Sequence, residues 1–143
     1  MIKPLLIFSI ISINVFAVDM PLQNRELPAQ DMKTQNKHIA KLAAQEMSKS
    51  LPHKIDRVTQ LINIKANNAT LEYIYEINID SKSDEEIKRE DHSTMKRVIT
   101  RNTCKSSKRF LEADISLSYI YKSFKTKTEL FRFNIDQESC FKL

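Results

Sequence analysis

The stretch DISLSYIYKSF, residues 114–124, carries the clearest strand pattern in the chain. Apolar and aromatic side chains recur there at every second position: Ile115, Leu117, Tyr119 and Tyr121. Such alternation is typical of a strand with one buried face. A second run of this kind, ELFRFNI at residues 129–135, follows a short polar segment, so the two runs predict a β-hairpin.

Upstream, the runs RVTQLINIK (residues 57–65) and TLEYIYEINI (residues 70–79) predict another hairpin. The chain contains no glycine, and asparagine is the best substitute where a turn needs a positive φ. A two-residue turn at Asn67 and Asn68 would connect the runs. The register it predicts is Ile64 opposite Leu71, Ile62 opposite Tyr73 and Leu61 opposite Ile74.

Two segments show helical spacing. The first runs from Met32 to Leu51 and ends before Pro52, with an expected buried stripe of Ile39, Leu42, Ala43, Met47 and Leu51. The second begins at Ser83, where Ser83 and Glu86 form a potential capping box, and extends to about Asn102. Its expected apolar side consists of Ile87, Met95, Val98 and Ile99.

The predicted element order is therefore α-β-β-α-β-β. We expect a two-layer α+β fold in which an antiparallel four-stranded sheet is covered on one face by two helices. Residues 32–143 are long enough for one such domain.

The N-terminal residues 1–17 have the layout of a secretory signal peptide. Lys3 precedes an apolar run from Leu5 to Ile13, and Val15 and Ala17 provide small residues before the expected cleavage. A membrane anchor is the alternative, but the run is too short to span a bilayer. We therefore expect a periplasmic or secreted protein without an integral membrane segment after cleavage, and residues 18–31 as a flexible leader.

Composition and spacing argue against nucleic-acid binding and against catalysis. The formal net charge of +5 is modest, and the basic residues are interspersed with acidic ones, as on a solvated surface. The histidines His38, His53 and His92 lack the spacing of metal ligands, and no nucleophile motif is present. We expect no cofactor, no metal and no enzymatic activity.

The two cysteines, Cys104 and Cys140, lie after the second predicted helix and after the last predicted strand. In an exported chain they are most simply a disulfide. On the chain-entropy model, its stabilisation is about 3 to 4 kcal/mol. A redox-active pair is the alternative, but the sequence has no C-x-x-C motif.

The order of several residues resembles a group of small exported bacterial proteins that includes the type II secretion pilotins of the AspS kind. The resemblance runs through Cys104, Ser106, Arg109, Leu111 and Ala113, the strand Ser118-Tyr119-Ile120-Tyr121, and FNIDQESC ending at Cys140. The upstream hairpin with Tyr73 and Tyr75 is similar too. Ala17 with no lipobox cysteine, and Asp114 in place of the usual glycine, depart from the pilotin pattern.

This resemblance implies a small α+β domain with the same disulfide. It also implies an accessory protein of a bacterial envelope assembly, holding a short segment of a secretin or another envelope component. A secreted or periplasmic inhibitor of a hydrolase is the alternative function.

One apolar exception on each predicted strand indicates where a partner would bind. Leu61, Ile74, Ile120 and Leu130 interrupt the otherwise polar side of the sheet. The register expected for the second hairpin pairs Ile120 with Leu130 and Tyr119 with Phe131. We therefore expect these four residues to form an exposed apolar stripe that contacts a partner protein.

Overall fold

The computed structural model describes residues 29–142. The predicted signal peptide of residues 1–17 and most of the predicted leader lie outside this range, so the division into signal peptide, leader and one domain stays a prediction. The helices are α1 (Ala29–Met47), α2 (Asp84–Arg89), α3 (Ser93–Ser106), α4 (Lys108–Glu112) and α5 (Gln137–Phe141). The strands are β1 (His53–Lys54), β2 (Thr59–Asn67), β3 (Thr70–Ile77), β4 (Ser116–Ser123) and β5 (Glu129–Ile135).

The five strands form one mixed sheet in the order β1-β2-β3-β4-β5. The central pair, β3 and β4, is parallel, and the other pairs are antiparallel. The α+β class is confirmed, but the predicted sheet of four antiparallel strands is wrong. Helices α2, α3 and α4 lie between β3 and β4 in the chain, and such a crossover is what returns a chain for parallel pairing.

The predicted strand registers are also wrong, although both hairpins exist. In the first hairpin Asn67 pairs with Thr70 and Ile64 with Tyr73, so the turn residues are Asn68 and Ala69. Asn68 has a φ of 53°, which is the conformation expected of a turn asparagine. In the second hairpin, Ile120 lies opposite Arg132 rather than Leu130.

Helix α1 begins at Ala29, earlier than expected, and its buried stripe differs from the prediction. The small residues Ala40 and Ala44 are buried against the sheet, whereas Ile39 and Leu42 are exposed. The predicted second helix is split into α2 and α3. Its capping box is confirmed, because Ser83 accepts from the Glu86 amide and the Glu86 carboxylate accepts from the Ser83 amide.

The core lies between the helices and one face of the sheet, as two adjoining clusters. One is centred on Leu71, Leu117 and Ile135, and the other on Tyr121 and Phe133. The face with the larger apolar groups is therefore the buried one, as predicted.

The disulfide between Cys104 and Cys140 is present and joins α3 to α5, with 5.7 Å between the two Cα atoms. Asp114, which stands where the pilotin pattern usually has glycine, has a φ of 57°. This is a conformation that glycine adopts most easily, and aspartate is among the residues that tolerate it.

Candidate functional site

The predicted stripe of Leu61, Ile74, Ile120 and Leu130 does not form an exposed surface. Irregularities in the strand pairing, between Leu61 and Asn63 and between Tyr121 and Lys122, shift the alternation of side chains. Leu61 consequently lies opposite Tyr75 and packs against the core. Leu130 is likewise buried in the cluster with Tyr121.

The other two members, Ile74 and Ile120, are neighbours in the parallel pairing of β3 and β4. They belong to neither core cluster, yet their exposed fractions are only 6% and 3%. The geometry on which the stripe was based is therefore wrong, and partner binding by these four residues stays a prediction.

On the helical side of the sheet, tyrosines of β3 and β4 form a stacked row. The ring centroids of Tyr73 and Tyr119 are 5.2 Å apart, and those of Tyr75 and Tyr121 are 4.8 Å apart. Tyr75 also stacks on Tyr119 at 6.3 Å. Tyr73, Tyr75 and Tyr119 are only partly buried, although they lie on central strands under the helical layer.

Helices α1 and α3 reach this row from opposite sides. The Tyr73 hydroxyl lies 3.5 Å from the Met47 sulfur of α1, and the Tyr119 hydroxyl hydrogen-bonds Thr103 of α3 at 2.7 Å. Burial raises the pKa of Tyr73 to about 12, with a smaller contribution from Tyr119. These hydroxyls therefore stay protonated at neutral pH and act as hydrogen-bonding groups.

One flank of α1 faces the outer edge of the sheet, because Lys37 and Lys41 line a groove with residues of β2. Helical geometry places Ile39 on the other flank, where Asn36 donates to the Ala113 carbonyl just after α4 at 2.6 Å. Leu42 lies about 200° around the helix from the buried Ala40, on the side of α1 that is turned to solvent. Ile39 is 37% exposed and Leu42 is 52% exposed. Helix α1 therefore presents apolar surface to solvent at Ile39 and Leu42.

The arrangement of α3 mirrors this. Lys96, Arg97 and Arg101 line a cavity of about 510 Å³ with residues of β5 and α5, so this flank faces outward. Val98 lies about 160° around the helix from the buried Thr100, on the solvent side of α3, and is 50% exposed. We use the name tyrosine cleft for the tyrosine row together with the exposed apolar side chains of the two helices beside it: its floor is Tyr73, Tyr75 and Tyr119, and its rims are Ile39, Leu42 and Val98.

The chemistry of the tyrosine cleft suits packing rather than catalysis. Aromatic rings with hydroxyl groups give large contact areas and fix orientation through hydrogen bonds. Among residues 29–142, no group of three or more His, Cys, Asp or Glu is placed to hold a metal ion. His92, which sequence spacing left without a role, stacks on Phe131 with 3.8 Å between ring centroids and contacts the Ile87 carbonyl through Nε2.

Sequence reasoning assigned the cleft rims to the core. Ile39, Leu42 and Val98 were expected to be buried because large apolar residues at helical spacing normally are. The sequence did contain a signal for the observed buried face of α1, because Ala40 and Ala44 form a second stripe one position after Ile39 and Ala43. Small residues carry little weight in hydrophobic patterns, so the site was missed.

A family model described as "Domain of unknown function (DUF8479)" matches residues 34–131. No curated protein gives a significant sequence match. Within the described part of the chain, every helix is too short or too polar to cross a membrane.

Three solved structures share the fold. A candidate secreted protein from Pseudomonas aeruginosa, PA3611, superposes with a TM-score of 0.68 at 14% identity, covering 76% of this chain and 96% of its own. The type 2 secretion pilotin EpsS from Vibrio vulnificus has a TM-score of 0.64 at 12% identity, and the match covers 78% of this chain and 96% of the pilotin chain. The type II secretion pilotin AspS from Vibrio cholerae has a TM-score of 0.57 at 16% identity, and the match covers 78% of this chain and 97% of the pilotin chain. The resemblance to pilotins is thus confirmed at the level of the fold.

Proposed function

This chain belongs to the DUF8479 family of unknown function, and we propose that it is a periplasmic accessory protein of a bacterial envelope assembly. In this proposal the tyrosine cleft holds a short segment of a partner protein, such as a secretin or another envelope component. The observation that carries the proposal is the exposed apolar rim of Ile39, Leu42 and Val98 above an aromatic floor. The shared fold with two secretion pilotins supports the class of partner.

A partner segment suited to this cleft is an amphipathic helix that inserts its apolar face between α1 and α3. Covering the three half-exposed rim side chains contributes about 3 kcal/mol, since full burial of each is worth about 1.5 to 3 kcal/mol. Association itself costs at least about 4 kcal/mol, so the rim alone does not suffice. Contact with the tyrosine floor must supply the rest of the affinity.

The test is affinity capture from envelope extracts with the wild-type protein and with Leu42→Asp and Val98→Asp. Each substitution places a charge on an exposed rim, so we expect partner capture to fall by about tenfold or more while the fold is retained. Quantitative mass spectrometry of the captured proteins measures the loss.

Phe124→Asp is the matched control, because Phe124 is 47% exposed and lies in the loop between β4 and β5. Recovery of a secretin or pilus component that is lost with both rim variants and kept with Phe124→Asp would support the proposal. Equal recovery by all variants would refute the cleft as the site. Recovery of a hydrolase would favour the inhibitor function instead.

Export is part of the same proposal and has its own measurement. We expect the protein in the envelope fraction to begin at Val18 and to carry no lipid, because Ala17 precedes the expected cleavage and no cysteine follows it nearby. Intact mass spectrometry decides this. A product that retains Met1 and remains in the membrane after salt washing would exclude a periplasmic protein.

A further inference from the structure

The outer edge of β2 is covered over only part of its length. Strand β1 pairs with Gln60 and Leu61, and its two residues end there. Along residues 62–67 no other strand of the described chain lies on this side of β2. About 20 Å of strand edge, at about 3.3 Å per residue, therefore has no strand paired with it among residues 29–142.

The pairing of β2 fixes which backbone groups point outward along this segment. The Ser48 hydroxyl donates to the Ile64 carbonyl, with 2.7 Å between the two oxygens, so this carbonyl points to the outer side of β2. Because backbone direction alternates along a strand, Ala66 also presents its amide and carbonyl outward. The outward amides of Ile64 and Ala66 are the donors that an added strand requires.

A groove runs beside this edge under α1. It is a cavity of about 670 Å³ with an apolar floor of Ala44, Ile64 and Ala66. Lys37, Lys41 and Lys65 surround the floor, and all three are exposed. Lys65 is paired with Glu72 at 3.2 Å, so Lys37 and Lys41 supply most of the positive charge toward the groove.

We propose that the open edge of β2 binds an extended, acidic segment of a partner protein as an additional strand. Backbone hydrogen bonds to Ile64 and Ala66 would hold the strand. Its side chains at every second position would point to the helical side of the sheet, where the groove lies. Acidic side chains at these groove-side positions would lie near Lys37 and Lys41. A second copy of this chain is a poor occupant, because pairing two β2 edges would bring the same lysines together.

This site is separate from the tyrosine cleft, since it lies on the opposite flank of α1. Its failure would leave the proposed function untouched, and failure of the cleft would leave this edge untouched. The two surfaces can be tested independently on the same protein.

The probe is a capped eight-residue peptide in which valine alternates with glutamate, compared with the same peptide carrying lysine in place of glutamate. Titration is followed by NMR on the full mature chain. We expect the glutamate peptide to shift the Ile64 and Ala66 amide signals and to slow their hydrogen exchange. It should bind about tenfold more tightly than the lysine peptide, and the difference should shrink with added salt.

Two variants separate pairing from charge. Ala66→Pro removes one outward amide, a change that edge strands tolerate, and should abolish binding while the rest of the spectrum is retained. Lys37→Glu with Lys41→Glu should reverse the preference between the peptides. Lys96→Glu with Arg97→Glu, on the outer flank of α3, is the matched charge control and should leave it unchanged.

Equal affinity for the two peptides would overturn the proposal. So would amide shifts confined to α3, or binding that survives Ala66→Pro. Self-association of the protein through β2, seen as protection of Ile64 and Ala66 without peptide, would also overturn it.

Discussion

Ile74 and Ile120 are buried on the face of the sheet that no helix of residues 29–142 covers. They lie side by side in the middle of the sheet on the face opposite the tyrosine row, and Arg132 is directly opposite Ile120 on β5. Ser118 on the same face is 2% exposed and donates to the Asn134 side chain at 2.8 Å. Polar as well as apolar side chains are therefore buried on this face.

Replacing Ile74 with aspartate should destabilise the domain by about 3 kcal/mol or more, because an unpaired charge would replace a buried apolar side chain. The urea midpoint of unfolding measures the effect. Val98→Asp, at a half-exposed site, should change the free energy of unfolding by less than about 1 kcal/mol. An Ile74→Asp midpoint equal to that of the wild type would show that this face is open to solvent.

Glu72, two residues before Ile74, illustrates how charge is accommodated on the same face. Burial raises the pKa of its carboxyl, but hydrogen bonds from Asn67 and Lys65 outweigh burial and leave that pKa below its usual value. The side chain is 7% exposed, and Asn67 donates to it at 3.1 Å. The lowered pKa of Glu72 means that its ionised carboxylate stabilises the fold at neutral pH. This stabilisation is lost as the pH falls through the pKa of Glu72 in the folded protein.

At the scale of elements, the disulfide is the strongest link between the crossover helices and the end of the sheet. It joins α3, which packs on β5, to α5, which follows β5 directly. Helix α5 has only five residues, although Asp136 and Ser139 form a capping box at its start. A helix this short is not stable alone in water, so its position depends on the disulfide and on contact with α3.

Replacing both cysteines with serine should lower the free energy of unfolding by about 3 to 4 kcal/mol. The disulfide should also keep α5 docked on α3. In the double variant, hydrogen exchange of the amides of residues 137–141 should therefore become faster by more than that of the β4 amides. Denaturant unfolding and hydrogen exchange measure the two effects. A double variant as stable as the oxidised protein would contradict this structural role.

Elements with strong side-chain periodicity could be predicted from the sequence, and those defined by pairing could not. The alternation of Ile115, Leu117, Tyr119 and Tyr121 was sufficient to predict strand β4 and to identify its buried face. In contrast, the two-residue strand β1 and the short helix α5 have no periodicity to detect. The parallel pairing of β3 with β4 depends on where the crossover returns the chain, which no local pattern encodes.

At the scale of the whole molecule, the aromatic row connects the two halves of the sheet. Tyr73 and Tyr75 come from the first hairpin, and Tyr119 and Tyr121 from the second. Burial is the main cause of the raised pKa of each of these four hydroxyls. Their ionisation is therefore linked to the stability of the entire fold.

The domain should lose stability as the pH rises from about 10 to about 12. An unfolded tyrosine releases its proton near pH 10, whereas folded Tyr73 retains it to a pKa of about 12. The unfolded state thus binds fewer protons in this range, and stability falls with pH. Denaturant midpoints together with the ultraviolet absorbance of phenolate measure it.

Tyr73→Phe keeps the ring and removes the ionisable group, so the variant should lose less stability over the same range. Phenolate absorbance that develops fully near pH 10 in the folded protein would contradict burial of the row.

The parallel pairing of β3 with β4 also constrains the order of folding. Every pair in this ladder joins residues about 46 positions apart, from Thr70 with Ser116 to Ile77 with Ser123. Closing a loop of that length costs about 3 kcal/mol of chain entropy, far more than closing either hairpin turn. The hairpins should therefore form early and the central ladder late, as the slow step.

Because the floor of the tyrosine cleft is shared between β3 and β4, a chain with only its hairpins formed has no cleft. Recognition by a partner at the cleft would therefore report that folding is complete.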